Sequence, residues 1–317
     1  MLAVAMRVFV AGATGALGAP LVRTLVAAGH EVVGLTRSAA KTDFLRALGA
    51  RAAVADALDA AALRAAVVET KPQAVVHALT ALPPRGPLRV SDLEPTNRVR
   101  IQGTANLIAA TVEAGARRLV AESVALVYGD TGEATATEAS AIGAPHRALK
   151  AGIDAIRSLE DQVLAASRAG RLEGIVLRFG LFYGPGVAST EFMIRLLRRR
   201  MFPLFGGGRA VASWIHVADA ATATLAALER GRPGEIYNVV DDEPTTLRDY
   251  ATDLARVLGA PRPLSVPAWV ARLLGPLGGT LATARLRVSN EKAKRDLGWT
   301  PAYPTHRDGL PTLVGRS

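Results

Sequence analysis

The residues of this chain with the clearest chemical potential are Gly12, Thr14, Gly15, Ala16, Leu17 and Gly18. They form a glycine-rich loop between an apolar run (Met6 to Ala11) and an amphipathic segment (Ala19 to Ala28). Three glycines at this spacing let a backbone turn sharply off a strand, approach a ligand closely and pack the next helix against a sheet. Free N–H groups and the positive dipole end at the start of that helix suit a pyrophosphate. A bare glycine triplet also fits a tight turn that holds nothing. Here the context is a βαβ unit: Arg7-Val8-Phe9-Val10 reads as a buried strand, Leu21, Val22, Leu25 and Val26 as a helix face, and Glu31 to Leu35 as a second strand. About 20 residues past such a loop, a dinucleotide site places an acid on the ribose 2′-OH when the ligand is NAD. This chain has Thr36-Arg37-Ser38 there. A guanidinium cannot accept from a hydroxyl but pairs bidentately with a 2′-phosphate, so Arg37 with Ser38 points to NADP(H). The alternative is a solvated surface arginine.

The other elements must carry this loop. A helix over Ala39 to Leu48 precedes a short strand, Ala52 to Val54, that ends at Ala55-Asp56-Ala57. A helix over Asp59 to Val68 leads to a strand, Ala74 to Ala78, running into Leu79-Thr80-Ala81. A long helix, roughly Asp92 to Gly115, and a fifth strand, Arg118 to Glu122, follow. Such alternation implies an α/β fold, a doubly wound parallel sheet with helices on both faces. Ligands bind outside the carboxyl ends of its strands. The candidate cofactor set therefore takes in Asp56, Ala57, Ala78, Leu79, Thr80 and Phe179. Asp56 could accept from an adenine amino group, or equally cap the next helix.

At 317 residues, half of them hydrophobic, the chain can bury a large core as one big or two interlocked domains. It has no cysteine, which excludes disulfides, thiolate chemistry and cysteine metal sites. His30, His77, His146, His216 and His306 lie far apart, so no metal site is expected. The net charge of +10 is spread along the chain instead of forming a stripe interleaved with aromatics, which argues against nucleic acid. The one cluster, Arg195 with Arg198 to Arg200, suits an exposed helix end. Met1 to Ala5 is too short for a secretory signal, and Met6 could be the natural first residue. The apolar stretch Val266 to Ala284 is broken by Arg272, Gly275-Pro276 and Gly278-Gly279, which argues against a membrane span. A soluble, cytoplasmic protein is expected.

Several motifs together resemble the extended short-chain dehydrogenase/reductases. They are Gly12, Gly15 and Gly18; Asn97…Gly103-Thr104-Ala105-Asn106; Glu122-Ser123…Val127-Tyr128-Gly129; Leu177-Arg178…Tyr183-Gly184-Pro185; Trp214-Ile215-His216-Val217-x-Asp219; and Ser289-Asn290-x-Lys292…Leu297-Gly298-Trp299-x-Pro301. The resemblance implies a Rossmann-type domain (1–182 plus about 211–240) and a smaller C-terminal substrate lobe (183–210 and 241–317). Members usually carry a Tyr-x-x-x-Lys pair on the helix after Tyr128-Gly129. Here, anchoring on Glu160 puts Gly152 where the Tyr belongs and Ile156 where the Lys belongs. Lys150 and Arg157 are nearby but have no tyrosine at the required spacing. Counting back from Gly129 puts Val124 where many members hold a catalytic Ser, with Ser123 its neighbour. Nucleotide-sugar members usually hold an Arg close before the Ile-His pair, where this chain has Ala212, Ser213 and Trp214; Arg209 is close but lies in a glycine-rich turn.

These departures resemble the atypical ketoreductases of aromatic polyketide antibiotic pathways, which lack the same tyrosine. The expectation is an NADPH-dependent ketoreductase acting on an apolar or polycyclic ketone. Val266 to Ala284 would shape its pocket, or form the lobe's own core. Ser123 and Thr80 would orient the carbonyl oxygen, and Tyr183, on the loop after the sixth strand, would donate or merely pack in a family turn. His216 is expected to be structural. Two other classes stay open: a sugar-nucleotide epimerase or dehydratase, and a non-catalytic redox sensor similar to NmrA-like regulators. Relatives often pair through two long helices, here around Asp92 to Gly115 and Ala151 to Ala169, so a homodimer is conceivable.

Overall fold

The computed structural model describes residues 5–83, 86–87, 89–143, 147–273 and 283–314. Short apolar runs, buried on both faces except at the edge strand β3, build the central sheet: β1 (Arg7–Ala11), β2 (Glu31–Thr36), β3 (Arg51–Val54), β4 (Ala74–His77), β5 (Arg118–Val124) and β6 (Glu173–Phe179). Four short strands follow, β7 (Leu181–Tyr183), β8 (Pro203–Phe205), β9 (Val211–Ala212) and β10 (Trp214–His216), before β11 (Ile236–Val239) completes the sheet. Its order is β3-β2-β1-β4-β5-β6-β11, with every neighbouring pair parallel. The chain leaves β1 for β2 on one side and returns to β4 on the other. A crevice therefore opens at the carboxyl ends of β1 and β4, where such sheets bind ligands.

Helices cover both faces. On one, α1 (Gly18–Ala27) contributes Leu21, Val22 and Leu25. The same face carries α2 (Thr42–Ala47) through Leu45, and the other carries α3 (Ala60–Thr70), whose Leu63 and Val67 pack on Phe9 and Val75. The long helix expected over Asp92 to Gly115 is a composite. A 3-10 turn (Val90–Leu93) leads into α4 (Glu94–Arg98), then a π turn (Val99–Gly103) and α5 (Thr104–Glu113). Pro95 sits in the first turn of α4, where its missing N–H costs nothing. α6 (Lys150–Arg168) packs Leu159 and Val163 on the same face as α5. α7 (Ala188–Arg198) ends with Arg195 and Arg198 in its last turn. α8 (Val217–Arg230) lies over the first face beside α1, presenting alanines 220, 223, 226 and 227 that let the two helices come close.

The remaining elements gather beside the carboxyl edge of the sheet: β12 (Thr245–Thr246) pairs with β9, and β13 (Leu264–Val266) with β8. α9 (Leu247–Val257) brings Tyr250 flat against Trp214, ring centroids 3.9 Å apart. α10 (Ala268–Leu273) follows. Of the apolar stretch Val266 to Ala284, residues 274–282 lie outside the described residues. α11 (Glu291–Leu297) and α12 (His306–Gly309) end the chain.

Several family-like motifs turn out to be clamps. The buried Arg178 donates from Nε and one terminal nitrogen to both oxygens of Glu160 (2.8 and 2.6 Å), and from the other to the Tyr128 hydroxyl (2.9 Å), which donates to Asn238 Oδ1. Asp219 accepts from the backbone N–H groups of Ala302 and Tyr303. Trp299 Nε1 donates to Thr222. The bonds of Asp219 and Trp299 clasp the C-terminal segment to α8. No helix among the described residues is long and apolar enough to cross a membrane, and no group of three or more His, Asp or Glu there is placed to hold a metal.

Candidate active site

The loop after β1 is as tight as its glycines imply. Gly12 has φ +94°, and a Cβ there would overlap the Ala78 carbonyl; a Cβ on Gly18 would overlap the Gly12 carbonyl. Gly15 N–H closes the turn onto Gly12 O at 2.9 Å. α1 begins with neither a side-chain cap nor an acid in its first turn, so its N–H groups face the loop unclaimed by a side chain. A cavity of about 2130 Å³ opens above it and runs from the loop to α7 and α9.

Gly12, Thr14, Gly15, Ala16 and Leu17 line that cavity, as do Ala57, Ala78, Leu79 and Thr80. At the loop end, Arg23, Arg37 and Lys41 line it too, and none of these three side chains hydrogen-bonds or ion-pairs with a described residue. Three unclaimed cations and an uncapped helix start fit the phosphates of a nicotinamide dinucleotide. Gly18 lies beneath the loop, serving close packing. Ser38 is exposed outside the lining, its N–H donating to Thr36 Oγ1. Asp56 also stays outside: it accepts from Leu58 N–H, and the cap of α3 is Asp59. Phe179 is buried under the cavity against Phe182, so it is a core residue.

The candidate catalytic residues separate. Thr80 is exposed on the cavity wall. Ser123 is not: it is 3% exposed and donates to Glu160 Oε1 at 2.6 Å. Successive side chains of a strand face opposite ways, so Glu122 and Val124 line the cavity and Ser123 points to α6. Ser123→Ala is accordingly expected to cost roughly 1–3 kcal/mol of stability through the lost charge-assisted hydrogen bond, with turnover per folded molecule little changed. Denaturant melts and steady-state rates read the two separately. A collapse in turnover with unchanged stability would reverse this assignment. Tyr183 is likewise corrected. It lies in β7, not on a loop, and pairing with β10 turns it into the aromatic cluster of Trp214, His216 and Tyr250. Its hydroxyl donates to Thr305 O at 3.3 Å, and burial raises its pKa further above the ordinary phenol range. His216 caps α8 by accepting Ala218 N–H, and burial lowers it to about 4. Gly152 and Ile156 stand on the cavity wall, where neither can supply a proton.

Arg23 and Lys41 escaped the sequence reading, and so did two further charged lining residues, Arg100 and Glu122. Arg100 is 8% exposed, in the π turn between α4 and α5. Glu122 lies two residues before the end of β5, where burial pushes its carboxyl up to about 7 against the pull of Arg100. Nearby, His77 is fully buried, with Nδ1 accepting Leu79 N–H and Nε2 2.8 Å from Thr104 Oγ1; burial lowers it to about 4, so it stays neutral. A charge on the apolar face of a helix, four residues after the buried Thr96 and four before the buried Thr104, was the available signal for Arg100.

Residues 8–239 match the model of the NAD dependent epimerase/dehydratase family. The chain belongs to that family. Within it, the chain is 40% identical to a 3-diazoavenalumate denitrifying reductase of a Streptomyces species, covering 96% of this chain and 99% of the relative. It is 29% identical to a 4-hydroxy-2-methyl-3-oxo-4-farnesyl-3,4-dihydroquinoline-1-oxide ketoreductase of Stigmatella aurantiaca, covering 97% and 96%. Among solved structures, a dTDP-glucose 4,6-dehydratase from Streptomyces venezuelae with NAD bound superposes with a TM-score of 0.82 at 25% identity, over 98% of this chain and 96% of that one. The Rossmann-type fold and the nicotinamide dependence of the family follow. The chain is a reductase of the extended short-chain dehydrogenase/reductase class.

Proposed function

We propose that this protein is an NADPH-dependent ketoreductase for an apolar, polycyclic or quinone-like substrate, working without a phenol as proton donor. The observation that carries the reading is the wall of the cavity, which Gly152 and Ile156 line together with Val124, Ile153 and Leu126; the motif spacing from Glu160 aligns the first two with the family's Tyr and Lys. A reduced nicotinamide, when bound, supplies the hydride. The protein's part is to orient the carbonyl and exclude water, which delivers much of the rate. General acid help adds typically only about 10²- to 10⁴-fold. A carbonyl already hydrogen-bonded to its own neighbouring hydroxyl needs less of it. Arg37 and Lys41 supply the positive charge that a 2′-phosphate favours over a bare ribose.

The test is NADPH oxidation with a panel of hydroxylated polycyclic ketones and quinones. Turnover is expected with NADPH, and Arg37→Gln should weaken NADP(H) binding by about 10- to 100-fold while leaving NAD unchanged, the scale of one lost charge-assisted pair. No oxidation across the panel, with NAD and NADP bound equally, would end this reading. The 40% identity to a denitrifying reductase favours a second one. If the substrate carries an aryl diazonium group, the hydride forms the new C–H bond, the C–N bond breaks, its electron pair leaves with neutral N₂, and no oxygen needs a proton. Product analysis separates the two, an alcohol in the first case and a denitrified arene with N₂ in the second.

A further inference from the structure

We propose that Arg100 receives an anionic oxygen of the substrate, a carboxylate or an ionised enol or phenol, and that Glu122 is the resident counter-charge which that anion replaces. The inference rests on reading this cavity as a site for apolar aromatic molecules, and it adds the group by which they are held.

Arg100 is a buried, cavity-lining guanidinium that makes neither a hydrogen bond nor a salt bridge with any described residue. A guanidinium presents five donors and stays ionised in proteins, so leaving them unmatched in a half-dry wall is costly. The three other cations that line the cavity, Arg23, Arg37 and Lys41, stand at the loop end. Val124 and Ile156 are among the apolar residues of the same cavity wall, and a ligand entering the cavity can accept from Arg100.

Among the described residues, Glu122 is the one carboxylate whose field reaches Arg100, and it does so at longer range than a salt bridge. Burial holds that carboxyl close to half-protonated near neutral pH, so the positive charge of Arg100 is only partly compensated. His77 also feels Arg100, but burial keeps its ring neutral and it adds no competing cation. The π turn that carries Arg100 is itself a feature that recurs at functional sites.

Binding tests this without turnover. Protein loaded with NADP is titrated calorimetrically with 2-naphthoate and with its neutral isostere 2-naphthamide. At roughly pH 6 the carboxylate should bind about 10- to 100-fold more tightly than the amide. The probe is ionised throughout, but Glu122 loses its proton on going to about pH 8 and then competes for Arg100, so the preference should shrink several-fold. Glu122→Gln should remove that pH dependence and keep the tight binding at the higher pH. Arg100→Gln should abolish the preference while NADP binds within about twofold of the parent protein. No preference in the parent, a preference that survives in Arg100→Gln, or a loss of NADP affinity matching the loss of naphthoate affinity would each overturn the assignment. Because Glu122→Gln must strengthen binding at the higher pH, a misfolded variant cannot imitate success. Ketone turnover is read separately: an inert protein that still prefers naphthoate refutes the ketoreductase reading and leaves the anion site standing. An active protein that shows no preference does the reverse.

Discussion

Gly12→Ala should leave a protein that neither binds a dinucleotide nor holds its fold to ordinary temperatures. The residue has φ +94°, where an L side chain is strained, and its Cβ would collide with the Ala78 carbonyl, which cannot retreat because Ala78 N–H is bonded to Ala11 O at 2.8 Å. Backbone strain and overpacking together are worth roughly 3–5 kcal/mol. The same collision would push the loop away from the end of β4, at the crevice where a pyrophosphate has to settle. Thermal melts with and without NADP check both halves. A stable variant that still gains melting temperature on adding NADP would show that the loop is not the phosphate cradle.

Arg178→Met is expected to destabilise by about 3–5 kcal/mol, because it strands the carboxylate of Glu160 in a site where the pair is only 4% and 3% exposed. It also takes from the Tyr128 hydroxyl one of its two partners. Replacing both members, Arg178→Met with Glu160→Met, should recover most of the loss, since a buried pair earns little over apolar side chains of similar size. Urea unfolding of the single and double variants is the measurement. A single variant within about 1 kcal/mol of the parent would mean that water reaches Glu160 and the clamp is not dry.

The glycine loop, the strand order and the parallel sheet could be read from residues alone, because each answers a local demand: a sharp turn, a doubly buried strand, an amphipathic helix. The faces at the catalytic edge could not. Ending β5 at Glu122 left Ser123 free to point anywhere, whereas the strand runs to Val124 and its alternation commits Ser123 to Glu160. Placing Tyr183 on a loop made it look available, and only the pairing of Tyr183 with His216 shows it turned inward. Asp56 as a helix cap missed by three residues, since Asp59 is the one whose carboxylate meets Ala61 and Ala62 N–H. Arg100 was hidden by habit: an arginine in a polar-looking run reads as solvated until the helix around it is known to be buried.

The clasp between Asp219 and the segment that follows Trp299 carries Thr312, Leu313 and Val314 onto the cavity wall, with Thr312 Oγ1 3.1 Å from His216 Nε2. An affinity tag fused behind Val314 would therefore hang at the rim of the pocket and crowd whatever enters. β1 starts at the opposite edge of the sheet, five residues and roughly 16 Å of strand away from the ligand side, so a purification handle belongs in front of Met6.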